Sequence, residues 1–244
     1  MKRMLLTLSF DGTAYHGWQV QPNAVTVQQV LQESLLKLLG VKTSVTGCSR
    51  TDAGVHANEF CCHIDCDEKI PDSAFLRGLN SILPSDIAVT ACKTVSDDFH
   101  ARYSALGKTY VYHIYNSPLN NPFLARYSWQ IDRPLDIELM NKFCQKIIGT
   151  KDFYAFSASG RTVTDTVRTI KECYVKKDNK DITLTVTANG FLYNMVRIIT
   201  GTAVGVSDRK INIGDIENIL YSKNRSAAGI TAPPCGLFLD KVIY

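Results

Sequence analysis

No apolar run in the chain approaches the roughly 18 residues that a membrane-spanning helix needs, which argues against a helical membrane protein. Charge of one sign is scarcely in excess: 27 Lys and Arg face 23 Asp and Glu, a net +4. Composition therefore does not announce a nucleic-acid binder, and any phosphate-binding surface has to come from local clustering. The basic pair Lys2-Arg3 precedes apolar residues, but that run stops at Ser9-Phe10-Asp11, too short for a secretory leader. A soluble cytoplasmic protein is expected. Short-period repeats and low-complexity tracts are also missing, so solenoid and disordered classes fall away. What is present is ordinary globular chemistry: 244 residues, 45% hydrophobic and 20% charged, enough for one large domain or two small ones.

Eight cysteines are present, yet none of their spacings is Cys-x-x-Cys, which weakens a disulfide framework. The dense patch Cys61-Cys62-His63-Ile64-Asp65-Cys66 invites a zinc reading. It sits in a predicted strand, where alternate side chains face opposite ways. Cys61, His63 and Asp65 then point one way and Cys62 and Cys66 the other, so four ligands from the patch do not converge. Buried thiols are expected here, and no metal.

Hydrophobic periodicity predicts strands at Leu5–Phe10, near Ser44–Cys48, at His56–Asp65 and at Asp86–Val95. A capping box, Thr26 with Gln29, opens a helix that Gly40 stops, and Pro71 opens another that ends near Leu83-Pro84. The second half repeats this grammar. Lys108–Asn116 reads as a strand with Tyr110, Tyr112 and Ile114 on one face. A Pro- and Asn-rich loop follows at 117–123, then a helix from about Asp136 to Ile148. Thr166–Lys176 and Ile182–Asn189 form a predicted hairpin around 177–180. Phe191–Ala203 reads as a helix apolar nearly all round, hence buried. A polar helix near Ile213–Tyr221 and a strand from Leu237 to Tyr244 close the chain. Interleaved strands and helices with some hairpins argue for an α+β fold with largely antiparallel sheets. Two comparable halves are expected, 1–105 and 106–244.

The segment Ser49-Arg50-Thr51-Asp52-Ala53-Gly54-Val55-His56-Ala57 falls between two predicted strands. Gly54 permits a tight turn and Ala53 keeps the space beside the carboxylate small. On local chemistry alone such an Asp-x-Gly turn is more often structural, because Asp caps its own turn. The wider sequence shifts that balance. This segment resembles the signature of the tRNA pseudouridine synthase A family, and further blocks match in family order. They are Phe10-Asp11-Gly12-Thr13-Ala14-Tyr15-His16-Gly17-Trp18-Gln19, Leu83-Pro84-Ser85-Asp86-Ile87, Phe99-His100-Ala101-Arg102-Tyr103-Ser104-Ala105, Gly190-Phe191-Leu192-Tyr193-Asn194-Met195-Val196-Arg197 and Ala232-Pro233-Pro234-Cys235-Gly236-Leu237.

The resemblance implies the pseudouridine synthase fold, two similar α/β halves about a central cleft. It implies isomerisation of uridine to pseudouridine at positions 38 to 40 of the tRNA anticodon stem-loop, without metal or cofactor. Asp52 becomes the catalytic carboxylate, needed ionised whether it attacks the sugar or removes the C2′ proton. One carboxylate suits isomerisation better than glycoside hydrolysis, which uses two. Arg197 matches the arginine that pairs with this Asp, and an adjacent guanidinium favours the ionised form. Its bland alternative is a charge that merely ends a buried helix. Tyr110 matches the tyrosine that stacks on the target base, and Leu237 an apolar wall of the base pocket; both are otherwise plausible core residues. Arg50 is expected to help extract the nucleotide, since a stacked stem uridine cannot reach Asp52 without flipping. Arg102, Lys108 and Arg126, with Arg161 and Arg168, are candidate phosphate contacts, though scattered surface charges are usually just solvated. Trp18 with Gln19 and Gln21 lines the cleft or braces its floor. The family is generally homodimeric, with tRNA as partner.

Two departures stand out. Cys48-Ser49 occupies the place where the family more often has Ala-Gly, and Ser is still small enough. Lys108 replaces a usual Arg, keeping the charge and losing the bidentate fork. Rival classes fit less well. A zinc nucleobase deaminase needs His-x-Glu and Pro-Cys-x-x-Cys, which His56 with Glu59 and Pro234-Cys235 do not supply. An aspartic protease wants a second Asp-Thr/Ser-Gly loop. A non-catalytic tRNA-binding protein needs neither Asp52 nor an internal arginine, and a synthase with a different RNA target is the other alternative.

Overall fold

In the first unit the even-numbered residues Met4, Leu6, Leu8 and Phe10 are all but fully buried along one face of β1 (Lys2–Phe10). The computed structural model describes residues 1–160 and 164–244, and the chain forms two compact units, 1–106 with 238–244 and 107–237. The first helix, α1 (Val27–Leu39), starts where Thr26 Oγ1 accepts from Gln29 N (3.4 Å) and stops at Gly40 with φ 72°. Such an N-cap contributes about 1 kcal/mol. The reciprocal half of the expected capping box is not made, because the Gln29 amide donates to Glu33 instead (3.0 Å). A two-residue strand β2 (Thr46–Gly47) pairs with β3 (His56–Cys66). Helix α2 (Asp72–Ile82) then leads to β4 (Ile87–Val95). β1 lies between β3 and β4, antiparallel to both.

The second unit begins with β5 (Gly107–Asn116), whose buried face carries Lys108, Tyr110, Tyr112 and Ile114. A short strand that periodicity did not reveal, β6 (Trp129–Ile131), pairs parallel to the end of β5. Helix α3 (Ile137–Ile147) is capped by Asp136, which accepts from Leu139 N (2.9 Å). Gly149, just past this helix, opens β7 (Gly149–Asp152). The hairpin of β8 (Val167–Asp178) and β9 (Asp181–Ala188) turns tightly at Asn179, with φ 52°. Within this unit the strand order is β5-β9-β8-β7, all antiparallel.

The buried apolar helix, α4, spans Met195–Ser207 and so starts four residues later than its composition suggested. Asn194 adopts φ 59°, which breaks the helix there and leaves 190–194 as a shaped loop. Downstream, α5 (Ile216–Tyr221) buries Ile216, Ile219 and Leu220, so the helix expected to be polar has an apolar side. The final strand, β10 (Leu237–Ile243), runs parallel to β3 with Phe238 opposite His56 and Leu239 opposite Ala57. Residues 238–244 thus belong with the first unit, whereas sequence reading assigned 106–244 to the second half. A parallel partner from the far end of the chain leaves no local signal. The result is a mixed α/β protein with mostly antiparallel strands. Among the described residues no helix is long and apolar enough to cross a membrane.

Candidate active site

Two loops of the first unit meet at Asp52. Residues 48–55 connect β2 to β3, and residues 11–18 leave β1 toward α1. Their backbones touch directly. Trp18 N donates to Thr51 O (3.2 Å), and Gly54 N donates to Tyr15 O (3.2 Å). A Cβ at Gly12 would collide with the carbonyl of Val55, and one at Gly17 with that of Thr51. Gly17 also sits at φ 82°, a conformation that side chains disfavour. Gly54, at φ 75°, closes the turn. Asp52 is consequently half-buried, with its neighbours Thr51 buried and Ala53 exposed.

Side chains fix the same clamp. Gly12 N donates to Nδ1 of the fully buried His56 (3.1 Å), whose ring stacks on Phe238 at 4.5 Å. That nitrogen is also 3.1 Å from Asp11 Oδ1. The Tyr15 hydroxyl donates to Asp86 Oδ1 (2.7 Å), and burial together with that bond pushes its pKa well above the usual phenol range. Tyr15 is a structural donor, not a proton shuttle. One polar atom is left over: Thr51 Oγ1 is buried without a hydrogen-bond partner. Leaving a buried hydroxyl unsatisfied costs about 1–3 kcal/mol. Uncompensated costs of this kind concentrate where a loop is shaped for function.

The second unit carries Tyr110, Arg197 and Leu237, and the segment 229–237 binds their elements together. Arg197, in the first turn of α4, donates through Nε to Ala232 O (2.7 Å) and through Nη1 to Asn194 Oδ1 (2.8 Å). Its own carbonyl accepts from Ala232 N (3.1 Å). The chain lies flush on α4 because Gly201 and Gly229 have no side chains: a Cβ on either would strike backbone of the other strand of contact. The Tyr112 hydroxyl donates to Pro233 O (2.7 Å), and Gly236 packs against β5 at His113 O. Tyr110 is buried and meets Phe191 edge-on, ring centroids 4.9 Å apart. Phe191 reaches it from the 190–194 loop that Asn194 shapes. Leu237 is buried directly after Gly236.

The remaining candidates scatter more widely. Arg50 and Arg102 are exposed and line one recess of about 230 Å³ in the first unit, whose walls include Trp18. Trp18 is 2% exposed and stacks on Phe60 at 4.0 Å, so it braces the loop, while Gln19 and Gln21 lie at the surface. Lys108 is buried on β5, Arg126 is exposed in the loop before β6, and Arg168 is half-buried with Nη1 3.8 Å from Asp165. Arg161 lies outside the described residues. In the cysteine patch, Cys61 approaches Thr7 Oγ1 (3.9 Å), and burial raises the pKa of both Cys61 and Cys62 thiols. Among the described residues no cluster of His, Cys, Asp and Glu is arranged to hold a metal.

Sequence reasoning missed the work of Gly12, Tyr15, Gly17 and His56. Their segments were visible as family-like blocks, but close backbone approach leaves no mark beyond the glycines themselves.

Comparison with known proteins places the chain. A tRNA pseudouridine synthase family model matches residues 7–104 and 143–244, spanning both Asp52 and Arg197. The chain belongs to the tRNA pseudouridine synthase family, a family of isomerases. Among its relatives is tRNA pseudouridine synthase A of Thermoanaerobacter pseudethanolicus, 48% identical over 244 residues and covering 100% of both chains. The same-named protein of Ruminiclostridium cellulolyticum is 47% identical over 246 residues, again with 100% of each covered. A solved archaeal box H/ACA sRNP Nop10-Cbf5 complex aligns with TM-score 0.36 and 10% identity, over 91% of this chain and 59% of that one. That likeness is too slight to add to the family assignment.

Proposed function

We propose that the protein isomerises uridine to pseudouridine at positions 38 to 40 of the tRNA anticodon stem-loop, with Asp52 as its catalytic carboxylate. The reaction breaks the N1–C1′ bond, turns the uracil and forms a C5–C1′ bond. The proton lost from C5 is balanced by one gained at N1, so no oxidant or metal is required. The reading rests on full-length identity near one half to proteins named tRNA pseudouridine synthase A, with Asp52 on a clamped loop inside the matched region.

Most candidates then have a role. Arg50, exposed two residues before Asp52, assists extraction of the nucleotide, whose unstacking costs a few kcal/mol. Arg197 holds Asp52 ionised; its bonds to Ala232 and Asn194 restrict the positions its guanidinium can take. Tyr110, kept edge-on by Phe191, supports the flipped base, and Leu237 excludes water from it. Arg102 and Arg126, both exposed, are phosphate contacts, whereas Lys108, buried on β5, is not placed to be one; the active form is a homodimer that shares tRNA between protomers.

The decisive experiment is Asp52→Asn assayed with purified tRNA, followed by mapping of pseudouridine positions. Turnover is expected to fall below detection while tRNA affinity stays within about threefold, since a neutral isostere leaves the binding surface intact. A variant that isomerises uridine at the wild-type rate would sink the assignment. Modification confined to sites outside 38–40 would instead redirect the substrate.

A further inference from the structure

The 99–104 turn of the first unit is held far more firmly than a solvent loop requires. Arg3 Nη1 donates to the carbonyls of Asp97 (2.7 Å) and Phe99 (3.0 Å). Ala101 N donates to His63 Nδ1 (3.1 Å), and the Tyr244 hydroxyl donates to Ala101 O (2.8 Å). His100 and Ser104 close the turn on each other through His100 N to Ser104 Oγ (2.9 Å) and Ser104 N to His100 O (2.8 Å). His100 Nδ1 accepts the amides of Arg102 (3.1 Å) and Tyr103 (3.3 Å). An imidazole that accepts at Nδ1 carries its proton on Nε2 and remains a donor there.

This rigid turn displays what a loop normally hides. Tyr103 is 78% exposed. The His100 ring centroid lies 4.3 Å from its own and the Arg102 guanidinium 5.9 Å, so two neighbours brace a ring that stays largely in solvent. His100, Arg102 and Tyr103 line the same recess as Gln19, Arg50 and the Trp18 wall. Its volume is about 230 Å³, below that of pockets that enclose a whole small-molecule ligand, as befits a recess holding one part of a longer chain. Two guanidinium groups, a ring N–H and an exposed aromatic ring are the elements that recognise a phosphate and a stacked base in single-stranded RNA. Among the described residues that line the recess there is no carboxylate to repel a phosphate.

We infer that this recess is a subsite for the nucleotide next to the target uridine, with its base stacked on Tyr103 and its phosphate held by Arg50 and Arg102. The inference rests on the proposed action on tRNA and adds a site to it. Adjacency follows from the chain: Arg50 lines the recess and is two residues from Asp52, a span of at most about 7 Å. A nucleotide seated there, beside one being drawn out of the stack, replaces the stacking its neighbour loses.

The test uses the full chain and tRNA carrying 5-iodouridine beside the target position, with binding read by anisotropy. Tyr103→Ala is expected to weaken binding by about tenfold, because base–aromatic stacking carries that much, while Tyr103→Phe binds like wild type. Arg102→Gln should flatten the dependence of log affinity on log salt by about one. Ultraviolet crosslinking should join the iodouridine to Tyr103. Tyr103→Ala binding as tightly as wild type, Tyr103→Phe as weakly as Tyr103→Ala, or crosslinks elsewhere would each overturn the subsite. If those results come from a wild-type protein that converts tRNA uridines, only the subsite fails. A wild-type protein that neither binds nor converts tRNA overturns the proposed function with it.

Discussion

The Asp52 loop and the Arg197 helix start are both held in place, but by different means. In the first unit the clamp is backbone against backbone, and its enabling residues are Gly12, Gly17 and Gly54. In the second the side chain proposed to act is itself the fastener: Arg197 bonds through its own guanidinium to Ala232 and Asn194. A carboxylate at a reacting centre has to keep its oxygens for substrate and partner, so the loop beneath it must supply the rigidity. A guanidinium has five N–H donors and can spend some on its own support.

That contrast predicts different failures. Arg197→Leu removes both fastener and charge, and turnover is expected to drop by at least about 100-fold, as when other charge-stabilising groups are deleted. Arg197→Lys keeps the charge without the fork and should recover only part of the rate. Steady-state kinetics of the two variants would separate charge from geometry; equal, near-wild-type rates would remove Arg197 from the site. Gly17→Ala attacks the backbone clamp instead. The collision with Thr51 and the positive φ together should cost about 1–3 kcal/mol, seen as a lower Tm, with turnover falling more than tRNA affinity. A variant of unchanged Tm and rate would mean the loops need not touch.

The smallest expected effect compares a matched pair of ion pairs. Arg3 holds Asp65 through Nε and Nη2 (both 2.8 Å), and Arg133 holds Asp208 through Nε (2.8 Å) and Nη2 (2.6 Å). Both carboxyls are held below their ordinary range, chiefly by the arginine hydrogen bonds. A depressed folded pKa stabilises above the unfolded value of about 4 and is lost as pH falls through the folded one. Asp208 has 8% side-chain exposure against 46% for Asp65, so solvent screens the first-unit carboxylate more. Asp208→Asn should therefore lower stability by about 1 kcal/mol near pH 7 and Asp65→Asn by less, both differences shrinking below pH 4. Denaturant melts at pH 7 and pH 3 would check this; an Asp65 effect larger than that of Asp208 would reverse the order.

Much of the architecture was legible from local pattern. The Thr26 cap, the Gly40 stop, the alternating face of β5 and the β8–β9 hairpin all follow from neighbours within a few residues. The start of α4 was misplaced because apolar composition continues through Phe191 and Leu192, and only the left-handed Asn194 breaks the helix. The short strands β6 and β7 are too brief to show a period. For the site, Asp52 stood out by resemblance and not by its own turn chemistry.

By itself the sequence determined the α+β class, the order of most elements, the family and the identity of the candidate carboxylate, because caps, periodicity and motifs are short-range properties. Only the tertiary structure decided that Gly12 and Gly17 press on the Asp52 loop, that Tyr112 and Gly236 seat the segment before Leu237, and that β10 returns beside β3. It also brought Arg50 and Arg102 to one recess with Tyr103. Those contacts join residues tens to nearly two hundred positions apart, and no local preference encodes them. They exist because each unit buries its apolar core only when distant segments pack together with their backbone polar groups paired.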